Sequence, residues 1–343
     1  MTATALRAGA RGLMSLLFHG AKARDVLETA SRLGVLRQLD AGPVTLGAMS
    51  LELGVVPLRL YKLLDCLESL GLVERIDSAE IEQVRYVAIE PLHDAAILTF
   101  GPESVERDRD AYDWASIHGR LDAVLRGQLD VPSAAFSWPP RTPEQVAGFE
   151  ASMARGVGPI LEAFCLALPK LWPRERDLVR WLDIGGGDGT LVRELLLHEP
   201  LLHGDVLNLP ATEPLVRPRL EDPRVAGRMG FVPGDFFAGA LPAGYDLVSL
   251  VRVLHDWPAR DALTLLERVR DALPSGGRLV ICEELRSPSR LAVQFFWSYF
   301  LIGVDSCVSR LREVEFYLRA LDALGMKDIE VIPGPFDIVT AVR

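Results

Sequence analysis

The chain has 343 residues and carries a formal net charge of −10 at pH 7. This acidic balance argues against a nucleic-acid partner, because phosphate recognition needs clustered Lys and Arg side chains. The longest uncharged run near the C-terminus, residues 291–304, is shorter than the roughly 20 residues that span a bilayer. Four cysteines without paired spacing favour buried thiols in a reducing compartment, so we expect a cytoplasmic protein. The length of the chain supports two domains.

The first 90 residues predict three helices followed by a β-hairpin. Apolar residues recur at helical spacing between residues 6 and 40, and residues 45–54 predict a short helix that ends at a glycine. Residues 57–70 predict a further helix, and the alternation of residues 73–89 predicts a hairpin. This order of elements is typical of a winged-helix domain.

A winged helix is also the shape of many DNA-binding domains. The helix that would enter the groove, 57–70, carries Arg59 and Lys62 beside Asp65 and Glu68. A DNA reader needs a basic face there, and this helix lacks one. We therefore expect no nucleic-acid partner, and a ligand-sensing regulator is the weaker alternative.

The middle of the chain predicts a helical linker. A proline-rich junction at residues 137–143 leads into a helical segment at 144–168, and Pro173 marks the start of the next domain. The predicted division is a winged-helix-like domain at 1–105, a helical linker at 106–172 and a sheet domain at 173–343.

Residues 181–189, W-L-D-I-G-G-G-D-G, predict a strand, a glycine-rich turn and the start of a helix. Glycine lets the backbone adopt positive φ and approach a ligand closely, and the following helix offers unpaired N–H groups. A dinucleotide fingerprint needs a third glycine where Thr190 stands. The turn therefore favours a different nucleotide-containing cofactor, and a glycine turn without a ligand is the alternative.

Four more strands are predicted, at residues 204–210, 230–237, 245–258 and 278–284. Ligands of open α/β sheets bind outside the carboxyl ends of the strands. The polar residues at these ends should therefore converge; they are Asp183, Asn208, Asp235, His255 and Glu283.

The ordered motifs D-I-G-G-G-D-G, L-N-L-P, P-G-D-F-F, V-L-H-D-W-P and G-G-R-L-V-I-C-E-E resemble the caffeic-acid-O-methyltransferase-like family. This family of class I S-adenosylmethionine-dependent methyltransferases includes hydroxyneurosporene-type and bacterial natural-product enzymes. The resemblance covers nearly the whole chain. It implies an α/β fold with a Rossmann-like, doubly wound, seven-stranded sheet and an N-terminal, α-helical, winged-helix-like dimerisation domain. A homodimer is expected, and the apolar residues Met14, Leu16, Leu17 and Phe18 suit such an interface.

The resemblance further implies that S-adenosylmethionine is the cofactor and S-adenosylhomocysteine the product. The implied cofactor-binding residues are Asp183, Gly185, Gly187, Asn208, Leu209, Asp235, Phe236 and Arg252. Asn208 departs from the aspartate that the family usually has there, which removes the charge-assisted part of a hydrogen bond to ribose. No His or Asp cluster has the spacing of metal ligands, so we expect no metal.

His255 is the candidate general base, because histidine titrates near neutral pH and a positioned base contributes about 10²–10⁴-fold. Glu283 is expected to orient the ring, with Glu284 as the alternative if the strand register slips by one residue. Plant family members carry a further glutamate beside the base. We place that position at Arg310, next to Leu311, so the base assembly is expected to be smaller here.

Aromatic residues and one methionine are the substrate-binding candidates, since such side chains suit a flat apolar acceptor. They are Trp138, Phe149, Met153, Phe296, Trp297 and Phe300. Ordinary core packing or a dimer interface is the alternative for each of them. The predicted function is O-methylation of a small aromatic or polyketide-like hydroxyl in secondary metabolism. The alternatives are C-methylation on the same scaffold, and a non-methylating reaction that keeps S-adenosylmethionine as a structural element.

Overall fold

The computed structural model describes residues 10–100, 120–130, 138–140, 142–154, 156–171, 178–287, 298 and 310–343. The chain divides into two compact units, Met1–Asp113 and Trp114–Arg343. The helices expected as a linker fall in the second unit. Three of the substrate-binding candidates, Phe296, Trp297 and Phe300, lie outside the described residues.

The first unit consists of six α-helices and a small sheet within its described part. The helices are α1 (Ala10–Phe18), α2 (Gly20–Leu33), α3 (Val35–Asp40), α4 (Leu46–Leu53), α5 (Pro57–Ser69) and α6 (His93–Phe100). The strands are β1 (Val44–Thr45), β2 (Val73–Ile76) and β3 (Arg85–Ala88), in the order β1-β3-β2. Strands β2 and β3 pair antiparallel, as the hairpin prediction required.

Local sequence explains where the helices of this unit begin and end. The Thr45 hydroxyl accepts a hydrogen bond from the Ala48 N–H at 3.2 Å, which caps α4, and Gly54 ends the helix in the left-handed region. The fully buried side chains of Leu36, Leu64 and Tyr86 form the centre of the unit's core.

The second unit alternates strands and helices. Its strands are β4 (Val179–Ile184), β5 (Leu202–Asn208), β6 (Met229–Pro233), β7 (Leu247–Val251), β8 (Arg278–Glu283), β9 (Lys327–Ile332) and β10 (Asp337–Val342). Its described helices are α7 (Leu121–Leu125), α8 (Pro143–Ala154), α9 (Val157–Leu171), α10 (Thr190–His198), α11 (Glu213–Leu220), α12 (Ala259–Ala272) and α13 (Val314–Ala323). None of the helices within the described ranges has the length and apolarity needed to cross a bilayer.

The seven strands form one sheet in the order β6-β5-β4-β7-β8-β10-β9. All neighbours from β6 to β8 are parallel, and β10 runs antiparallel to both β8 and β9. The central strands are buried, with helices packed on both faces: Leu265 and Tyr317 belong to one core cluster, Phe164 and Leu195 to the other. The predicted doubly wound, seven-stranded fold is confirmed. The chain reverses direction across the sheet between β4 and β7, where such folds bind ligands.

Two predicted boundaries were wrong. The helix expected at 144–168 is two helices, α8 and α9. A Cβ atom at Gly156 between them would lie 2.9 Å from an Arg252 guanidinium nitrogen, so this side chain packs where the helices separate. The strand expected at 245–258 stops at Val251, and His255 lies in a 3₁₀ turn, Leu254–Asp256.

Candidate active site

The turn after β4 depends on glycine. Gly187 has φ 59°, a left-handed conformation that L side chains rarely adopt. A Cβ atom added there would also lie 2.9 Å from Oε2 of Glu150. Gly189, with φ 80°, precedes the first turn of α10 and leads the chain into that helix. The turn therefore presents bare backbone towards α8 and the end of the sheet.

Asp183, at the end of β4, lies beneath this turn and is 1% exposed. It accepts a hydrogen bond from the Ser249 hydroxyl on β7, and that hydroxyl accepts one from Nε1 of Trp181 at 2.7 Å. Burial raises the pKa of Asp183 to about 7, although the Ser249 hydrogen bond acts in the opposite direction. Asp183 thus links β4 to β7, the two strands between which the strand order of the sheet changes direction.

Asn208, at the end of β5, is held by three hydrogen bonds. Its Oδ1 accepts from the Leu209 N–H at 2.8 Å, and its Nδ2 donates to Oε1 of Glu150 at 3.2 Å. The same Nδ2 lies 3.3 Å from the carbonyl oxygen of Gly187. The amide therefore links the glycine turn to α8.

Helix α8 brings three neighbouring side chains to this end of the sheet: Phe149, Glu150 and Met153. Arg252 follows β7 with φ 53° and donates from its guanidinium to the Met153 carbonyl at 2.7 Å. Burial raises the pKa of Glu150 to about 7, against the lowering effect of the Asn208 hydrogen bond. An arginine with positive φ and a buried carboxylic acid both cost folding free energy, and features of this kind are concentrated at functional sites.

These elements enclose a cavity of about 380 Å³. Five aromatic residues line one wall, with the centroids of contacting rings between 4.7 Å and 5.8 Å apart. They are Trp138, Phe149, Phe236, Phe237 and Trp257. The rings of each contacting pair are tilted or edge-on to one another, an arrangement that packs favourably and gives the cavity an apolar wall.

All eight predicted cofactor-binding residues line this cavity, as do three of the predicted substrate-binding residues. The eight are Asp183, Gly185, Gly187, Asn208, Leu209, Asp235, Phe236 and Arg252; the three are Trp138, Phe149 and Met153. Among the residues that the structure describes there, His255 and Glu283 are not part of the lining. They contact residues that do line it: Glu283 accepts from the Val253 N–H, and His255 lies beside Asp256.

His255 is 5% exposed, and its Nδ1 is hydrogen-bonded to Oε2 of Glu283. The other Glu283 oxygen accepts from the N–H groups of Val253 at 3.1 Å and Leu254 at 2.8 Å. The structure thus places Glu283, rather than Glu284, against the ring. The carboxylate fixes both the imidazole and the turn that carries it.

The second ring nitrogen, Nε2, lies 3.4 Å from Oδ1 of Asp256, a cavity-lining residue. Burial alone would lower the pKa of His255, but the charges of Glu283 and Asp256 outweigh it and raise the pKa to about 9. The imidazole is therefore mostly protonated at neutral pH in the protein without ligand.

The Arg310 side chain is 65% exposed at the surface, and its guanidinium lies 3.8 Å from the Glu313 carboxylate. Its backbone N–H donates to the His255 carbonyl at 2.9 Å. Arg312, which the sequence analysis missed, is buried and donates to the carbonyls of Leu254 and Trp257. Arg312 therefore holds the His-Asp-Trp turn from the side of α13.

Sequence reasoning also assigned no role to Glu150, Asp256 and Trp257. The last two stand in the quoted H-D-W-P motif. Glu150 had a signal of its own: it lies four residues from both Val146 and Ala154, which share the cavity side of α8 with it. A charged residue within such a face favours a functional role.

The charged side chains of the cavity suit a cofactor that combines a nucleoside with positively charged groups. Within the described lining, five carboxyl groups face one guanidinium, that of Arg252; the acids are Glu150, Asp183, Asp188, Asp235 and Asp256. Such a cavity disfavours the pyrophosphate of a dinucleotide and suits a sulfonium and an ammonium group. The bare backbone at Gly187 leaves space that a Cβ atom would fill. Among the described residues, no group of three or more His, Cys, Asp or Glu is arranged to hold a metal.

Comparison with known proteins agrees with this chemistry. The O-methyltransferase domain family matches residues 156–294. The chain is 30% identical to N,N-dimethyltransferase OxyT of Streptomyces rimosus, covering 95% of this chain and 94% of OxyT. It is 26% identical to the mitomycin biosynthesis 6-O-methyltransferase of Streptomyces lavendulae, covering 99% and 97%.

A solved structure shows the same fold. The S-adenosylmethionine-dependent methyltransferase SibL, in its apo form, aligns with a TM-score of 0.60 at 21% identity, covering 96% of this chain and 98% of SibL. The cavity chemistry and the full-length relatives lead to one conclusion: the chain belongs to the O-methyltransferase family and is a class I S-adenosylmethionine-dependent methyltransferase.

Proposed function

We propose that this enzyme methylates a hydroxyl group of a small aromatic or polyketide-like acceptor in secondary metabolism, with His255 as the general base. The observation that carries the proposal is the buried Glu283–His255–Asp256 arrangement beside a cavity walled with aromatic rings. When bound, S-adenosylmethionine supplies a methyl group activated by the sulfonium charge.

The residues proposed to hold the cofactor are those of the glycine turn, the ends of β5 and β6, and the start of the turn after β7. Asp235 offers a carboxylate next to the Phe236 ring, a combination suited to a nucleoside. The aromatic wall formed by Trp138, Phe149 and Trp257 excludes water and orients a planar acceptor. Positioning of this kind is a large part of catalysis for a displacement reaction.

His255 would accept the proton of the acceptor hydroxyl on Nε2. The Glu283 carboxylate beside Nδ1 favours the tautomer with its proton on Nδ1, and it stabilises the imidazolium once the second proton arrives. Asp256 lines the cavity, and its Oδ1 lies 3.4 Å from Nε2, beside the nitrogen that would take the proton. Arg312 positions this turn without touching the reacting atoms.

Methylation of an amine or of a carbon atom is the second candidate. His255 is only 5% exposed and is not among the described residues that line the cavity, an arrangement that suits an acceptor needing little help from a base. OxyT, the relative at 30% identity, is named as an N,N-dimethyltransferase.

Incubation with S-adenosylmethionine and a panel of phenols, enols and amines, read by mass spectrometry for the gain of one methylene unit, identifies the acceptor class. For a phenol, His255→Ala should lower the single-turnover rate about 10²–10⁴-fold. Calorimetric affinity for S-adenosylhomocysteine should stay unchanged. His203→Ala, on β5, is the matched control. A His255 variant that keeps most of the phenol turnover would rule out the base role and leave the second candidate.

We also propose that the enzyme acts in the cytoplasm as a homodimer, without nucleic acid, membrane or metal. The exposed apolar residues of α1 support the dimer: Met14 is 64% exposed and Phe18 85% exposed. The net charge of −10 supports the absence of a nucleic-acid partner.

A further inference from the structure

Glu150 is a buried carboxylic acid in the cofactor cavity. It lies on α8, is 8% exposed and has one carboxylate oxygen beside the bare Cα of Gly187. Burying an ionisable group is unfavourable unless partners satisfy it. The hydrogen bond from Asn208 satisfies one oxygen only in part, at 3.2 Å. The pair therefore suits a ligand that brings further donors.

The partner of Glu150 stands where an acid is expected. In nucleotide-binding α/β folds, a carboxylate at the end of the second strand binds the ribose hydroxyls. Here that position is Asn208. Its Nδ2 lies within hydrogen-bonding distance of two acceptors, Oε1 of Glu150 and the Gly187 carbonyl oxygen. An amide has two N–H donors, so Asn208 has no donor left for a ligand.

We propose that Glu150 binds the ribose hydroxyls of the cofactor and replaces the carboxylate that the end of β5 lacks. Asn208 holds the Glu150 side chain in place by donating to Oε1. This assigns a cofactor-binding role to a residue of α8. The inference deepens the proposed function, rests on the use of S-adenosylmethionine, and is independent of the acceptor.

A carboxylate is chemically matched to a ribose diol, because its two oxygens accept hydrogen bonds from two neighbouring hydroxyls. Such charge-assisted bonds are about twice as strong as neutral ones. Gly187 belongs to the same arrangement, because a Cβ atom at this position would lie 2.9 Å from Oε2 of Glu150 and displace it. The acid, the amide and the glycine thus form one unit.

The charges around Glu150 set its response to pH. Asp188 on the glycine turn raises its pKa and Arg252 after β7 lowers it, while burial is the largest effect and raises it to about 7. Asp183, beneath the turn, has a pKa raised to a similar value. A protonated Glu150 has lost its charge, so affinity for the cofactor should fall as the pH drops from 8 to 6.

Calorimetry with two ligands tests the proposal. S-adenosylhomocysteine and 5′-methylthioadenosine share the ribose, but only the first carries the amino-acid part. At pH 8, Glu150→Gln should weaken both by about tenfold or more, the loss expected for a hydrogen bond to a charged group. Glu144→Gln, an exposed glutamate at the start of the same helix, should change both less than twofold. Wild-type affinity in Glu150→Gln overturns the proposal, as does a loss confined to S-adenosylhomocysteine.

An exchange variant separates binding from packing. Glu150→Gln combined with Asn208→Asp swaps the amide and the acid, and should restore most of the affinity for both ligands. Wild-type affinity should weaken between pH 8 and pH 6, and the affinity of Glu150→Gln should depend less steeply on pH. An unrestored double variant, or a pH slope as steep in Glu150→Gln as in the wild type, overturns the proposal; the undiminished slope would point to Asp183.

Folding of the single variant is checked by its melting temperature. The folded-state pKa of Glu150 lies above the ordinary glutamate value, so folding becomes less favourable as the pH rises through that interval. Glu150→Gln should therefore melt at the wild-type temperature or higher at pH 8.

Because all readouts are binding or melting, they remain valid whichever acceptor is methylated. Failure to methylate a phenol would overturn the proposed function and leave this inference standing.

Discussion

The protonation of His255 determines the pH at which a hydroxyl acceptor can react. Glu283 and Asp256 overcome the effect of burial and hold the pKa of His255 at about 9. At pH 7 most of the rings are therefore protonated, and only the neutral minority can accept a proton. The same pair that makes the imidazole a stronger base also reduces the amount of that base.

The single-turnover rate with a phenol should therefore rise about tenfold per pH unit below the plateau and level off near pH 9. Rapid-quench measurements at saturating cofactor and acceptor test this. A phenol also ionises in the alkaline range, so a second variant must identify the titrating group.

Glu283→Gln supplies that control. Removing the carboxylate lowers the pKa of His255, so the plateau should begin at a lower pH, and the maximal rate should fall less than in His255→Ala. The amide keeps an acceptor for the N–H groups of Val253 and Leu254, which preserves the turn. An identical midpoint in the wild type and in Glu283→Gln would show that the acceptor, and not His255, titrates.

Among the elements of the fold, the turn between β4 and α10 and the helix α8 depend on one another. Gly187→Ala places a Cβ atom against Glu150 and forces an alanine into φ 59°. The increase in melting temperature caused by S-adenosylhomocysteine, which reports binding to the folded state, should then be lost.

Gly148→Ala is the matched control on α8, because a Cβ atom there meets nothing within 4 Å. It should keep the full ligand-induced shift and melt slightly higher, since alanine favours a helix interior over glycine by about 1 kcal/mol. Equal ligand-induced shifts in the two variants would contradict the close packing of Glu150 on the turn.

Patterns among neighbouring residues were enough to predict the elements that carry the expected cofactor-binding residues. The apolar run before Asp183, the three left-handed glycines and the apolar face of α10 are properties of neighbouring residues, and they predicted β4, the turn and the helix. The hairpin of β2 and β3 was predictable for the same reason. Short-range patterns therefore located most of the cavity.

Features that depend on distant contacts were not predictable. The contact between Glu150 and Asn208 joins residues 58 positions apart, and Arg312 reaches Leu254 across 58 positions. The break between α8 and α9 follows from the packing of Arg252 beside Gly156. No periodicity within one segment carries such information. The sequence does show that a charge interrupts an apolar helix face, and this is the signal to look for.

For the whole molecule, the exposed apolar residues of α1 support the proposed homodimer. Light scattering at micromolar concentration should give about twice the chain mass. Leu17→Glu combined with Phe18→Glu should shift the protein towards the monomer, because these side chains are 69% and 85% exposed and a buried charge at an interface is unfavourable. Leu201→Glu, at a 54% exposed site of the second unit, is the control. A monomeric, fully active wild type would contradict the homodimer.

The aromatic wall has an optical consequence. Trp138 and Trp257, with ring centroids 5.8 Å apart, both line the cavity, whereas Trp181 is fully buried in the core and hydrogen-bonded to Ser249. Among the tryptophans that the structure describes, a ligand that enters the cavity changes the polarity around the first two indoles and leaves that around the third unchanged. The intrinsic fluorescence of the unlabelled protein should therefore report when the cavity fills, and stopped-flow traces should resolve the order in which cofactor and acceptor arrive.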